Sequence, residues 1–284
     1  MIMKHSAKHF LSAAVEDVKN VMHQKGVNKY TLACTGKTGS THIKKWLDRY
    51  GLHMDFDDRS GGSASQRDVF STQIQSWNGP SQRVLTEDEL NMGVTIGVVR
   101  SPFEWLHSLF IYNNTPGLAF PDYPEMKVFG EINFEQFIYK WYETGFGERG
   151  SHSLPYGADA PGKGDYHRQR TLMHWSVVDG LGKIYPDFIV RTEYLNDGLS
   201  ILLQAAGVDT HVTGKSNVSR HSTNDSVKNA YTPEMVDMIN KLHARELESY
   251  GYTFDGPIDD HPLIQPNGVI IRDFTTDFKP DYTS

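Results

Sequence analysis

The stretch from Tyr30 to Gly51, YTLACTGKTGSTHIKKWLDRYG, constrains this chain most. It reads as a buried strand, a glycine-hinged loop and an amphipathic helix. The strand is Tyr30–Cys34, and the loop is Thr35, Gly36, Lys37, Thr38 and Gly39. From Ser40 and Thr41 onward, Ile43, Trp46, Leu47 and Tyr50 recur at i, i+3, i+4 and i+7, which gives one apolar helix face. Gly51 supplies the stop. A strand that turns through glycines into a helix aims backbone N–H groups and a helix N-terminus at one point, which is an anion site. Lys37 adds a charge, and the hydroxyls of Thr38, Ser40 and Thr41 add donors, so the expected anion is a phosphate or a close analogue.

The loop fits neither of two familiar nucleotide fingerprints. G-x-x-x-x-G-K-[ST] is matched in its second half by Gly36-Lys37-Thr38, but Thr31 holds the place of its first glycine. G-x-G-x-x-G fails because only Gly36 and Gly39 are present.

A second strand–loop–helix unit follows at Val94–Asn113, VTIGVVRSPFEWLHSLFIYN. Val94–Val99 is a continuous apolar run of the kind a parallel sheet buries on both faces. Ser101 can cap the next helix, Pro102 suits its first position and Glu104 completes a capping box. Arg100 stands at the strand's carboxyl end, where open α/β sheets bind ligands. Arg100 and Ser108 either face a ligand there, or the first caps a loop and the second lies on a solvated face.

Asp187–Arg191 reads as a short strand, and Leu199, Leu202, Leu203 and Ala206 mark a helix ended by Gly207. Thr232-Pro233 opens another helix, with Met235, Met238, Ile239 and Leu242 on one face, running to Tyr250-Gly251. Alternating strands and helices predict an α/β fold: a parallel sheet flanked by helices. A single domain is expected over 1–284, with its core at about 28–254 and an irregular tail at 255–284.

The 284 residues carry a net charge of −7, so no basic footprint for nucleic acid is present. The single cysteine, Cys34, excludes an internal disulfide framework. No apolar run reaches transmembrane length and no secretory signal is read at the start, so neither membrane nor export is expected and a cytoplasmic enzyme is. No His/Asp/Glu cluster has ligand spacing for a metal. Oligomeric state is not legible.

Two motifs resemble those of the sulfotransferases that use 3′-phosphoadenosine 5′-phosphosulfate (PAPS). Gly36-Lys37-Thr38-Gly39-Ser40-Thr41-His42 is similar to the family's 5′-phosphosulfate loop, P-K-[ST]-G-[ST]-T-W. Arg100-Ser101-Pro102 through Ser108 is similar to its 3′-phosphate motif, an arginine at a strand end with a serine eight residues on. Asp187–Leu195 and the late loop Asn217-Val218-Ser219-Arg220 match more weakly, in the family's order. Gly36 replaces the usual proline and His42 the usual tryptophan.

The resemblance implies a P-loop-like three-layer fold and sulfuryl transfer from PAPS to a hydroxyl or amine acceptor, releasing PAP. The acceptor could be a small molecule, a glycan or a peptide. It further implies that Lys37 balances charge on the leaving phosphate oxygen, that backbone N–H groups of Thr38–His42 hold the 5′-phosphate, and that Arg100 and Ser108 hold the 3′-phosphate. Ser219 and Arg220 belong to the same cofactor-binding set. No metal is expected. The family's general base lies between the two donor motifs, and His53, Asp55 and Asp57 alternate there, so on a strand they share a face. An ATP-dependent phosphotransferase and a non-catalytic interaction protein of nucleotide-binding fold are the alternatives.

Overall fold

The computed structural model describes residues 3–34, 39–54, 92–113, 132–143, 184, 186–214 and 224–266. In chain order the elements begin with α1 (Met3–Lys25), β1 (Tyr30–Cys34), α2 (Ser40–Arg49), β2 (Val94–Val99), α3 (Pro102–Asn113) and α4 (Phe134–Glu143). They continue with β3 (Phe188–Arg191), a 3₁₀ turn (Thr192–Tyr194), α5 (Leu195–Ala205), α6 (Asn224–Lys228), α7 (Pro233–Leu242) and α8 (Ala244–Tyr250). Three short strands follow: β4 (Tyr252–Thr253), β5 (Gly256–Pro257) and β6 (Leu263–Ile264). They form two compact units. The first comprises Met1–Val99, Trp175–Asn217 and Asp260–Ile270; the second comprises Arg100–His174, Val218–Asp259 and Ile271–Ser284.

The first unit is an α/β sheet in the order β1-β2-β3-β6. β1, β2 and β3 run parallel and β6 closes the edge antiparallel. Cys34 pairs with Val98 and Val99 with Arg191, so the three parallel strands end nearly level. The apolar runs are buried on both faces, as expected for parallel strands. One face is large: Tyr30 and Leu32 beside Ile96, Val98, Phe188 and Val190. Val18 and Met22 of α1, Ile43 and Leu47 of α2, and Leu199, Leu202 and Leu203 of α5 complete that core. Burying side chains of this size stabilises by about 1.5–3 kcal/mol each. The opposite face is narrower, with Thr31, Ala33, Thr95 and Gly97.

Beyond β1, away from β2, His53 makes one parallel bridge to Tyr30. The Tyr30 N–H donates to Leu52 O at 2.8 Å, and Tyr30 O accepts from Met54 N at 2.8 Å. The chain therefore leaves β1 through α2 to one side and enters β2 on the other. The gap between β1 and β2 is a topological switch point, and ligands of open α/β sheets bind outside the carboxyl ends of strands at such a point.

Polar contacts pin the opposite, amino end of the sheet. Lys25 at the end of α1 donates to Asp187 Oδ2 at 2.5 Å and to Gly93 O at 3.3 Å, and Asp187 Oδ2 also accepts from Thr95 N at 2.8 Å. The Tyr30 hydroxyl donates to Leu202 O at 2.6 Å, tying β1 to α5, and burial pushes its pKa upward.

The second unit collects Phe103 and Phe110 of α3, Phe134 and Phe137 of α4, Tyr231 and Phe254 into one aromatic cluster. Phe134 meets Tyr231 edge-on at 4.9 Å, a favoured geometry, and the Tyr231 hydroxyl donates to Phe103 O at 2.7 Å. Asn133 and Gln136 exchange side-chain-to-backbone bonds at the start of α4, a reciprocal cap.

Three differences from expectation follow from packing. Residues before 28 belong to the core through α1, whose Ala14, Val15, Val18 and Met22 are buried. The helix expected from Thr232 to Tyr250 breaks at His243 into α7 and α8, and there the His243 and Glu246 side chains pair at 2.8 Å, both fully buried. The tail expected to be irregular supplies β5 and β6, the latter completing the sheet against β3.

Candidate anion site

Gly39 ends the loop after β1 and opens α2 in a left-handed conformation, φ 83°. It carries no side chain, so α2 starts without a side-chain cap. The first turn of a helix leaves N–H groups unpaired along the chain, and an anion can satisfy them. Gly39 O accepts from the His42 N–H at 2.9 Å and from the Ile43 N–H at 3.3 Å. The His42 N–H, expected among the phosphate donors, therefore serves the helix itself. Its ring is also engaged: Nε2 lies 3.0 Å from Asn196 Oδ1, and Asn196 Nδ2 donates to Gly214 O at 3.0 Å. Because the Asn196 oxygen accepts there, His42 Nε2 carries the hydrogen. His42 is buried and meets Trp46 edge-on. It acts as a strut between α2, α5 and the chain leading toward Asn217.

Thr35, Gly36, Lys37, Thr38, Asp55, Asp57, Ser219 and Arg220 lie outside the described residues. Ser40 and Thr41 occupy the first turn of α2.

His53 is placed at the amino end of β1, opposite Tyr30. Four residues of strand separate that point from Cys34, roughly 13 Å. His53 Nδ1 lies 3.0 Å from Asp48 Oδ1, and its side chain is 6% exposed. That position ties α2 to the amino edge of the sheet and sets His53 apart from the carboxyl end where the loop begins.

Arg100 follows Val99 directly and belongs to the second unit. Its Nε donates to Glu104 Oε2 at 3.2 Å. With side chains 15% and 21% exposed, the pair is partly desolvated, where a guanidinium binds anions more strongly than in open water. Ser101 and Ser108 are both buried, so Ser108 does not lie on a solvated face. Glu104, His107 and Ser108 stand at i, i+3 and i+4 of α3 and so share a helix face. His107 is buried against Phe134, with ring centres 5.4 Å apart. Burial and the Arg100 charge push its pKa below the ordinary histidine value, while Glu104 partly offsets them.

Glu104 as a partner of Arg100, His107 beside Ser108, and Asn196 as the partner of His42 were not read from the sequence as site residues. The spacing of Glu104 and His107 along α3 carried the signal for two of them. Asn196 is joined to His42 only by the tertiary fold.

Among the described residues, no group of three or more His, Cys, Asp or Glu side chains is arranged to hold a metal ion. No described helix is long and apolar enough to cross a membrane. Searches against protein-family models, curated proteins and solved structures found no match to this chain.

Proposed function

We propose that this protein is a PAPS-dependent sulfotransferase with a P-loop-like fold. It transfers the sulfuryl group to a hydroxyl or amine acceptor and releases PAP. The observation that carries the proposal is the switch point between β1 and β2. The Gly36–His42 motif follows one of these strands and the Arg100–Ser108 motif follows the other. The uncapped N-terminus of α2 and the left-handed Gly39 suit a 5′-phosphosulfate. The partly desolvated Arg100 and the buried Ser108 suit a 3′-phosphate.

In this proposal Lys37 offsets charge that develops on the bridging oxygen as the S–O bond breaks, and the oriented N–H groups hold the phosphate without rearrangement. Arg100 makes the 3′-phosphate the feature that separates PAPS from ordinary adenine nucleotides. Asp55 and Asp57 remain the base candidates from the expected interval.

Calorimetry with PAP, 5′-AMP and ATP tests the donor, and transfer from radiolabelled PAPS in excess EDTA tests the chemistry. PAP binding far tighter than 5′-AMP, with EDTA-resistant transfer, is the expected result. Equal affinities for PAP and 5′-AMP would overturn the proposal, and magnesium-dependent turnover of ATP would replace it with phosphotransfer.

A further inference from the structure

We infer that an anion held by Arg100 and Ser108 draws a proton onto His107, so that the second unit binds its ligand and a proton together. The inference rests on the 3′-phosphate role proposed for Arg100 and Ser108, and it adds His107 as a residue that recognises the charge of that group. His107 is 5% exposed, and its Nδ1 is enclosed with no hydrogen-bond partner among the described residues. Buried polar atoms are ordinarily satisfied, and an orphan nitrogen calls for a reason.

Glu104, His107 and Ser108 share one face of α3, and Arg100 is bonded to Glu104 at the start of that face. Among the described residues, the charges that bear on His107 are those of Arg100 and Glu104. From α4, the ring of Phe134 packs against it.

Without ligand, burial and the Arg100 charge, which Glu104 only partly offsets, hold the pKa of His107 below its ordinary value. A phosphate at Arg100 adds up to two negative charges. It cancels the field of Arg100 that opposed protonation and makes an imidazolium the favourable neighbour. The proton comes from solvent or buffer and forms one N–H bond on the ring, and no bond between heavy atoms forms or breaks. Protonated, both ring nitrogens are donors, and the phosphate brings acceptors that Nδ1 lacks.

The experiment is calorimetry of the full chain at about pH 7, in two buffers of different ionisation enthalpy, where histidine titration is readable. PAP and 5′-AMP are the probes, with wild type and His107→Gln. Wild type should take up more protons per PAP than His107→Gln, and 5′-AMP should cause no such difference. Protonation of the phosphate itself is common to both proteins and drops out. Relative to His107→Gln, wild-type PAP affinity should rise by up to about tenfold per pH unit as pH falls through the histidine range, the limit for one linked proton.

The ring carbon resonances of His107 in wild type give a readout independent of the variant's folding, and they should move to the protonated form on adding PAP. A neutral ring in the PAP complex, or equal uptake by both proteins, overturns the inference and leaves the sulfotransferase proposal standing. Absence of PAP binding to wild type overturns both.

Discussion

Leu195 stands against the bare Cα of Gly39: a Cβ added there would lie 2.6 Å from Leu195 Cδ2. The start of α5 thus fits closely against the turn that opens α2. Gly39→Ala meets two costs, the left-handed backbone at φ 83° and the contact with Leu195. The backbone cost alone is about 1–2 kcal/mol. Leu195 can turn its methyl groups aside, so the added cost is modest. Urea unfolding should show Gly39→Ala destabilised by roughly 1–3 kcal/mol. In the Leu195→Ala background the same change should cost less, and equal penalties in both backgrounds would show that the contact is unimportant.

Asp187 serves two donors, Lys25 Nζ and Thr95 N, whereas Lys25 can be lost with only the ion pair and one carbonyl contact. Asp187→Ala removes the carboxylate that serves both the Thr95 N–H and Lys25 and should cost about 1–3 kcal/mol. Lys25→Met should cost less, because its stem still covers apolar surface. Chemical denaturation of both variants gives the order, and a larger loss for Lys25→Met would contradict it.

The lowered pKa of His107 makes the ligand-free protein sensitive to acid. Its ordinary value is 6.5, which the unfolded chain retains, so below that the unfolded state binds more protons than the folded state. This component of stability is complete above about pH 6.5 and is lost as pH falls toward the folded-state value. Melting curves of wild type and His107→Gln from pH 7.5 to 5 should converge or cross as pH falls. Parallel curves would mean that His107 titrates alike in both states.

Arg100→Ala removes the main cation from the proposed 3′-phosphate position and leaves Glu104 without that partner. PAP affinity should fall by about 2–5 kcal/mol, the scale for truncating one member of a desolvated charge pair. Affinity for 5′-AMP should change little. Similar losses for both nucleotides would point to general damage rather than loss of a phosphate ligand.

Lys37→Met tests the chemistry itself. In the proposed transfer, charge on the leaving oxygen develops only in the transition state, so kcat and kcat/KM should fall together by on the order of 10²–10³-fold. PAP affinity should fall far less, and the melting temperature should move as for an ordinary surface substitution. Near-normal turnover would remove Lys37 from the mechanism.

Much of the framework was legible because strand and helix periodicities are local. Val94–Val99, Ile43 and Leu47 on the apolar face of α2, and the Thr232-Pro233 start of α7 stand where their patterns put them, while Tyr50, expected on that face, caps α2 and is exposed. Gly39 and Gly51 adopt the positive φ angles that their positions in the pattern demand. What escaped depends on partners distant in the chain. The apolar positions of α1 are interspersed with charges and histidines, and its role is evident only when Val18 and Met22 meet the sheet core. β6 is two residues long, too short for any alternation to register, and exists because β3 offers it an open edge. His53 has the chemistry of a base, but the bridge to Tyr30 that fixes its place leaves no trace in spacing. Whether Ser108 faced a ligand or solvent was left open by the pattern, because α3 is apolar on more than one face, which a single stripe cannot convey, and the fold buries it.

The antiparallel β6 has a consequence for how the chain comes together during synthesis. Arg191, at the end of β3, donates from its backbone to Pro262 O at 3.4 Å and from Nη1 to His261 O at 3.3 Å. A ribosome that has made β1, β2, β3 and α5 has therefore produced a sheet with a bare edge and a buried-to-be cation without these acceptors. Nearly sixty further residues, from Ala206 to Leu263, must emerge before that edge is closed, so the late step is a long-range one that loop-closure entropy slows. In the interval the exposed strand is a template for pairing with another chain. The nascent protein is thus most exposed to misassembly just before β6 arrives, and of the second unit only Val218–Asp259 is made within that delay, its Arg100–His174 part having emerged before β3.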